Sequence, residues 1–162
     1  MEESMRPNRA ENARQLVEIR QIVANHRESL GAIQAVMSYL KANRPTYHWV
    51  GVYRLEGENL ILGPYEGPET DHTVIPVGRG VCGTAVAENR NQIVGDVRTL
   101  TNYLACNLET RSEIVVLIRD PETKEILGQI DVDGTELNGF DGDDESFLQE
   151  VGVIVAPYLG RP

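Results

Sequence analysis

The sequence predicts an α+β domain built around a central antiparallel sheet of about six strands. Three observations predict it. Apolar residues recur at helical spacing near the two ends of the chain and once in its middle. Between those stretches run short segments rich in β-branched and aromatic residues, separated by turn signals. The chain of 162 residues, 41% apolar and 25% charged, has the composition of one globular domain with a single core, so residues 1–162 are expected to form one unit.

Residues 10–43 read as helix. Leu16, Ile19, Ile22 and Val23 form one apolar stripe, and Leu30, Ile33, Val36, Met37 and Leu40 form a second. A turn or bend between two helices is expected at Ser29-Leu30-Gly31, and Asn43-Arg44-Pro45 ends the second helix. From residue 46 the texture changes. Tyr47 to Leu55 and Leu60 to Tyr65 flank the turn signal Gly57-Glu58-Asn59 and read as a hairpin. Thr73 to Val77 is a third strand, and Gly78-Arg79-Gly80 leads into a helix over Val81 to Glu88. Gln92 to Gly95 is a short strand, followed by a structured loop over Asp96 to Thr110 with about one helical turn. Glu113 to Arg119 and Glu125 to Asp133 pair around the turn Asp120 to Lys124. Asp141 to Asp144 supply N-cap residues for a closing amphipathic helix over Glu145 to Tyr158.

The formal net charge is −10, unevenly spread: residues 1–45 carry +2 and residues 46–162 carry −12. Such a chain is a poor match for nucleic acid or an anionic membrane surface, which call for basic patches. It has no apolar run of about 18 residues and no apolar stretch at its N-terminus, so neither a membrane span nor a secretory signal is expected. Two cysteines do not make a disulfide scaffold, and a reducing, cytoplasmic setting follows as the expectation.

Three sets of residues stand out for chemistry. Cys82 lies in Gly-Arg-Gly-Val-Cys-Gly-Thr at a helix start and Cys106 in a polar loop. Each is either a small buried hydrophobe or a thiol activated by a helix N-terminus or a cation such as Arg79. Neither belongs to a Cys-x-x-Cys pair, and His26, His48 and His72 are scattered, so no metal site is expected. Asp131 and Asp133 are two apart in a strand and share one face, with Ile130 and Val132 on the other. They read either as a solvated strand end or as crowded carboxyls able to hold a proton near neutral pH, with Glu113 beside them. Trp49 and Tyr53 also share a face, as core or as a pocket wall. The run Val77 to Gly83 lacks a Walker ending, but its turn into a helix presents backbone N–H groups, at Gly80, Val81 and Cys82, to a small anion.

Together these stretches resemble the free methionine-(R)-sulfoxide reductase family of single GAF-domain enzymes. The resemblance rests on HWVGVY (48–53), LGPYEG (62–67), IPVGRGVCGTAVA (75–87), ACN with SEIV (105–107, 112–115), QIDVDG (129–134) and FDGDDESFL (140–148). It implies a GAF-like fold with the N-terminal and C-terminal helices on one face of the sheet. It also implies thiol-dependent reduction of free methionine-(R)-sulfoxide through a cysteine sulfenic acid and a disulfide.

By the same resemblance Cys106 is the nucleophile and Cys82 the candidate resolving thiol. Glu113, Asp131 and Asp133, with Trp49 and Tyr53, fall in the family's substrate pocket. On chemical grounds a protonated carboxyl among the three acids is expected to serve the sulfoxide oxygen, and the N–H groups at Gly80, Val81 and Cys82 to suit the substrate carboxylate. No cofactor is bound, thioredoxin or a similar dithiol is the external reductant, and a homodimer is expected. One departure is visible: family members carry a third cysteine ten residues before the VGRGVCG cysteine, where this chain has His72. The alternative is a non-catalytic GAF sensor or small-molecule-binding module, which is more often joined to an output domain than this chain is.

Overall fold

The computed structural model describes residues 7–101, 103 and 108–159. Two helices open the chain, α1 (Arg9–Ala24) and α2 (Ser29–Asn43). Strands β1 (Trp49–Glu56), β2 (Asn59–Glu66) and β3 (Val74–Pro76) follow, then helix α3 (Gly80–Glu88). Strands β4 (Gln92–Val94), β5 (Ser112–Arg119) and β6 (Ile126–Gly134) complete the sheet, and α4 (Gly142–Val155) closes the domain. Among the described residues no helix is long and apolar enough to cross a membrane.

The helix ends follow local chemistry. The Asn8 side chain accepts from the Glu11 N–H at 2.9 Å and starts α1. Asp141 accepts from the Asp143 and Asp144 N–H groups while Asp144 accepts from the Asp141 N–H, a capping box that opens α4. This start falls at Gly142, three residues before the helix expected from Glu145, and the helix proper ends at Val155; Ala156–Tyr158, with Pro157, form a 3-10 turn.

The expected break at Ser29-Leu30-Gly31 is displaced. The chain turns over 25–28, where the Asn25 N–H reaches back to Ile22 O and Val23 O and His26 Nδ1 meets Ile22 O at 2.8 Å. Ser29-Leu30-Gly31 instead form the first turn of α2. Glycine is tolerated there because that turn has few intrahelical bonds to lose.

The six strands are all antiparallel in the order β3-β2-β1-β6-β5-β4. The β5–β6 hairpin turns on Asp120, whose carboxylate accepts from the Glu122 and Thr123 N–H groups at 2.8 and 3.0 Å. The β1–β6 pairing is longer in range and sets Trp49 opposite Asp133, Gly51 opposite Asp131 and Tyr53 opposite Gln129.

Period-two alternation divides the side chains between two cores. Val50, Val52, Ile114, Val116, Ile118, Ile130 and Val132 face α1, α2 and α4 in the main core. Trp49, Tyr53, Val115 and Leu117 face the other way, under Val81, Cys82 and Ala85 of α3. The terminal helices thus cover one face, as the sequence implied, and α3 with its flanking loops covers the second.

The helical side is locked by Arg44, which is 1% exposed. Its guanidinium donates to Asn12 Oδ1 at 2.6 Å, Gln15 Oε1 at 3.2 Å and Asp144 Oδ1 at 3.3 Å, and lies 3.9 Å from the Phe147 ring centre. One side chain therefore ties α1, α2 and α4 together.

Candidate active site

The candidate site occupies the sheet face under α3. Alternation along β6 puts Gln129, Asp131 and Asp133 on that face, and the β5 register sets Glu113 beside Asp133 and Val115 beside Asp131. These polar side chains are all buried: Gln129 and Asp131 are 0% exposed, Asp133 1% and Glu113 4%. Cys82, in the first turn of α3, is lowered onto the same patch. Its Sγ points at Glu113 Oε2 from 4.0 Å, and ligand-type atoms of Cys82, Glu113 and Asp131 all lie within 4.8 Å of one another.

This burial has an electrostatic consequence. No described donor gives a complete hydrogen bond to either carboxylate oxygen of Asp131 or Asp133. Burial pushes the Asp131 carboxyl above its ordinary range, an effect that the neighbouring Glu113 and Cys82 side chains partly offset. Asp133 is pushed well above it, by burial first and by the charge of Asp131 second. Asp131 and Asp133 therefore favour their protonated forms over two adjacent buried anions.

The aromatic wall stands beside the acids. Trp49 stacks on Tyr65 at 5.2 Å between ring centres and on Tyr53 at 6.3 Å, and its Nε1–H donates to Pro68 O at 3.1 Å. The indole lies flat because Gly51 leaves room: a Cβ there would meet Trp49 Cη2 at 2.5 Å and Tyr65 Cβ at 2.7 Å. Gly67, at φ +131°, runs under the same ring. Tyr53 is fully buried and its hydroxyl donates to His72 O at 2.8 Å, so it braces the segment carrying His72.

The first turn of α3 has no side-chain cap from Arg79, so Gly80 and Val81 open a helix N-terminus with an uncapped dipole end. Position Cys106 lies outside the described residues. A cleft of about 1060 Å³ opens on the helical side between the start of α2 and β1–β2, but none of the residues singled out for chemistry lines it.

Residues 22–159 match the GAF domain family. A free methionine-R-sulfoxide reductase from Escherichia coli is 35% identical over 130 residues, which is 80% of this chain and 77% of the relative. The chain belongs to the free methionine-R-sulfoxide reductase family of GAF-domain proteins. Solved structures of reductases of this family agree in fold. That of the Neisseria meningitidis enzyme in complex with its substrate matches with a TM-score of 0.85 at 32% identity, covering 92% of this chain and 88% of that one. The type II enzyme of Thermoplasma acidophilum matches with a TM-score of 0.77 at 36% identity, covering 86% and 94%.

Beside these reductases, two features of the site were not singled out in the sequence. Gln129 Nε2 donates to Cys82 O at 3.1 Å and pins the α3 turn to the sheet. Its position two before Asp131 was the available signal, since residues i, i+2 and i+4 share a face. Tyr65, stacked on Trp49, belongs to a neighbouring strand and carried no such signal.

Proposed function

We propose that this protein reduces free L-methionine-(R)-sulfoxide to L-methionine with thiols as the electron source. The observation that carries this reading is the buried Glu113–Asp131–Asp133 patch with Cys82 beside it, in a chain of this family. A sulfoxide oxygen can leave only if it is protonated, and the raised Asp131 and Asp133 carboxyls favour the protonated form that donates. Trp49 supplies an apolar face for the S-methyl group, and the start of α3 supplies N–H groups for the amino acid carboxylate.

In this reaction the Cys106 thiolate attacks the sulfoxide sulfur. The oxygen takes a proton from the acid patch and becomes a hydroxyl; that hydroxyl passes to the Cys106 sulfur as both the old sulfur–oxygen bond and the new sulfur–sulfur bond break, so methionine leaves and Cys106 remains as a sulfenic acid. The Cys82 thiol then attacks the Cys106 sulfur, forming a disulfide and releasing water. A dithiol of the thioredoxin type reduces that disulfide, returning both thiols. With His72 at the position of the family's third cysteine, resolution falls to Cys82 or to the external thiol directly. No bound cofactor enters the reaction. A cytoplasmic homodimer completes the proposal.

Purified protein supplied with dithiothreitol is expected to consume free methionine-R-sulfoxide and to leave the S epimer and a peptide-bound sulfoxide untouched. Absence of turnover with every reductant would sink the reading. Full activity in Cys106→Ser would remove the assigned nucleophile. Loss of thioredoxin-supported cycling in Cys82→Ser, with a single reduction event retained, identifies the resolving thiol.

A further inference from the structure

We infer that Cys82, Glu113 and Asp131 form a binding site for a thiophilic divalent cation of the Zn2+ class. Two independent observations carry this. The first is donor chemistry: one thiol and two carboxyl groups, from α3, β5 and β6, place their ligand atoms within 4.8 Å of one another. Ligands held at about 2.0–2.3 Å around a tetrahedral ion sit about 3.5 Å apart, so the set needs a contraction of about 1 Å. The second is an unmet need. The Asp131 side chain is 0% exposed and neither of its oxygens receives a full hydrogen bond from a described residue; its polar neighbours are the other two members of the set, Glu113 and Cys82. A carboxyl buried in this way is held as a carboxylate only when a cation is placed beside it.

The donor set selects the ion. A thiolate beside two carboxylates is too soft for Mg2+ or Ca2+, which take all-oxygen shells, and suits Zn2+ or its spectroscopic substitute Co2+. Binding replaces the Cys82 S–H bond with a sulfur–metal bond and releases that proton to solvent, together with any proton held on Asp131. Three protein ligands leave a fourth position open, to water or to Asp133, which lies two residues from Asp131 on the same face. The site does not depend on the chain being a reductase. If it is one, the cation occupies the groups that would meet the sulfoxide oxygen and excludes substrate.

The test uses the reduced, chelator-treated full chain titrated with Co2+. The expected result is one Co2+ per chain, with the sulfur-to-cobalt charge-transfer absorption of a single thiolate and displacement by stoichiometric Zn2+. Cys82→Ser is expected to lose the charge-transfer band and Cys106→Ser to keep it. Asp131→Asn and Glu113→Gln, checked for folding by circular dichroism, are each expected to weaken Co2+ binding at least tenfold. These two variants decide the matter if Cys82→Ser fails to fold. Absence of a charge-transfer band, a band that survives Cys82→Ser, or one that vanishes in Cys106→Ser overturns the site, as does unchanged affinity in both carboxyl variants. None of these readouts measures reductase activity, so a failed sulfoxide assay and a failed cation site are distinguishable.

Discussion

Replacing Asp133 by Asn should flatten the dependence of stability on pH. Asp133 is 1% exposed, no described donor gives its oxygens a full hydrogen bond, and burial together with the Asp131 charge, only partly offset by Glu113, holds its carboxyl well above the ordinary range. In the unfolded chain the same group titrates near pH 3.9. Above that pH the unfolded chain has released a proton that the native protein keeps. Stability therefore falls as pH rises, from just above the unfolded pKa up to the native pKa, where the curve levels off.

The magnitude follows from proton number alone: one extra proton in the native state costs about 1.4 kcal/mol of stability per pH unit. Asn fills nearly the same volume and has no proton to exchange. Urea unfolding of both proteins at several values between about pH 5 and about pH 8 measures the difference, with the m-value as a check that unfolding remains two-state. The wild-type slope should exceed that of Asp133→Asn by about 1.4 kcal/mol per pH unit over the window in which native Asp133 is protonated. The variant should be the more stable protein at the alkaline end. Parallel curves would refute the argument, because they would mean that Asp133 ionises alike in both states.

Two further outcomes follow from the packing. Arg44→Ala should cost about 3–5 kcal/mol by urea unfolding, since it strands Asp144 and empties the junction of α1, α2 and α4, whereas Arg44→Met should cost less by refilling it. Gly51→Ala should shift the emission of Trp49, the single tryptophan, destabilise the fold by about 1–3 kcal/mol and depress sulfoxide reduction, because the new methyl group collides with the indole.

Much of the site was legible because strands alternate. Asp131 and Asp133 had to share a face, Ile130 and Val132 had to take the other, and a hairpin through Asp120 could bring Glu113 alongside, as the β5–β6 register does. Local signals also misled. Gly31 suggested a break, but the turn comes earlier, at Asn25, because a glycine in a helix's first turn costs little. Long-range pairing was not legible: nothing near Trp49 says that β1 will lie against β6, nor near Cys82 that α3 will land on Glu113. Spacing rules for metal ligands are blind to such a set for the same reason. They read ligands close in sequence, and these three donors come from three separate elements.

The same patch links the pH slope to the proposed cation site. A sheet face that buries Glu113, Asp131 and Asp133 together is destabilised by whatever negative charge remains on it. Protons relieve that charge at low pH, and a cation relieves it at high pH. If Cys82, Glu113 and Asp131 take Zn2+, saturating metal should stabilise the wild type most at the alkaline end, where protons no longer hold the site, and should offset part of the slope. Asp131→Asn should reduce that metal effect by about 1.4 kcal/mol or more at the same metal concentration, whether or not the chain turns over sulfoxide. A wild-type slope unchanged by saturating Zn2+ would mean that protons and metal do not compete for these carboxyls.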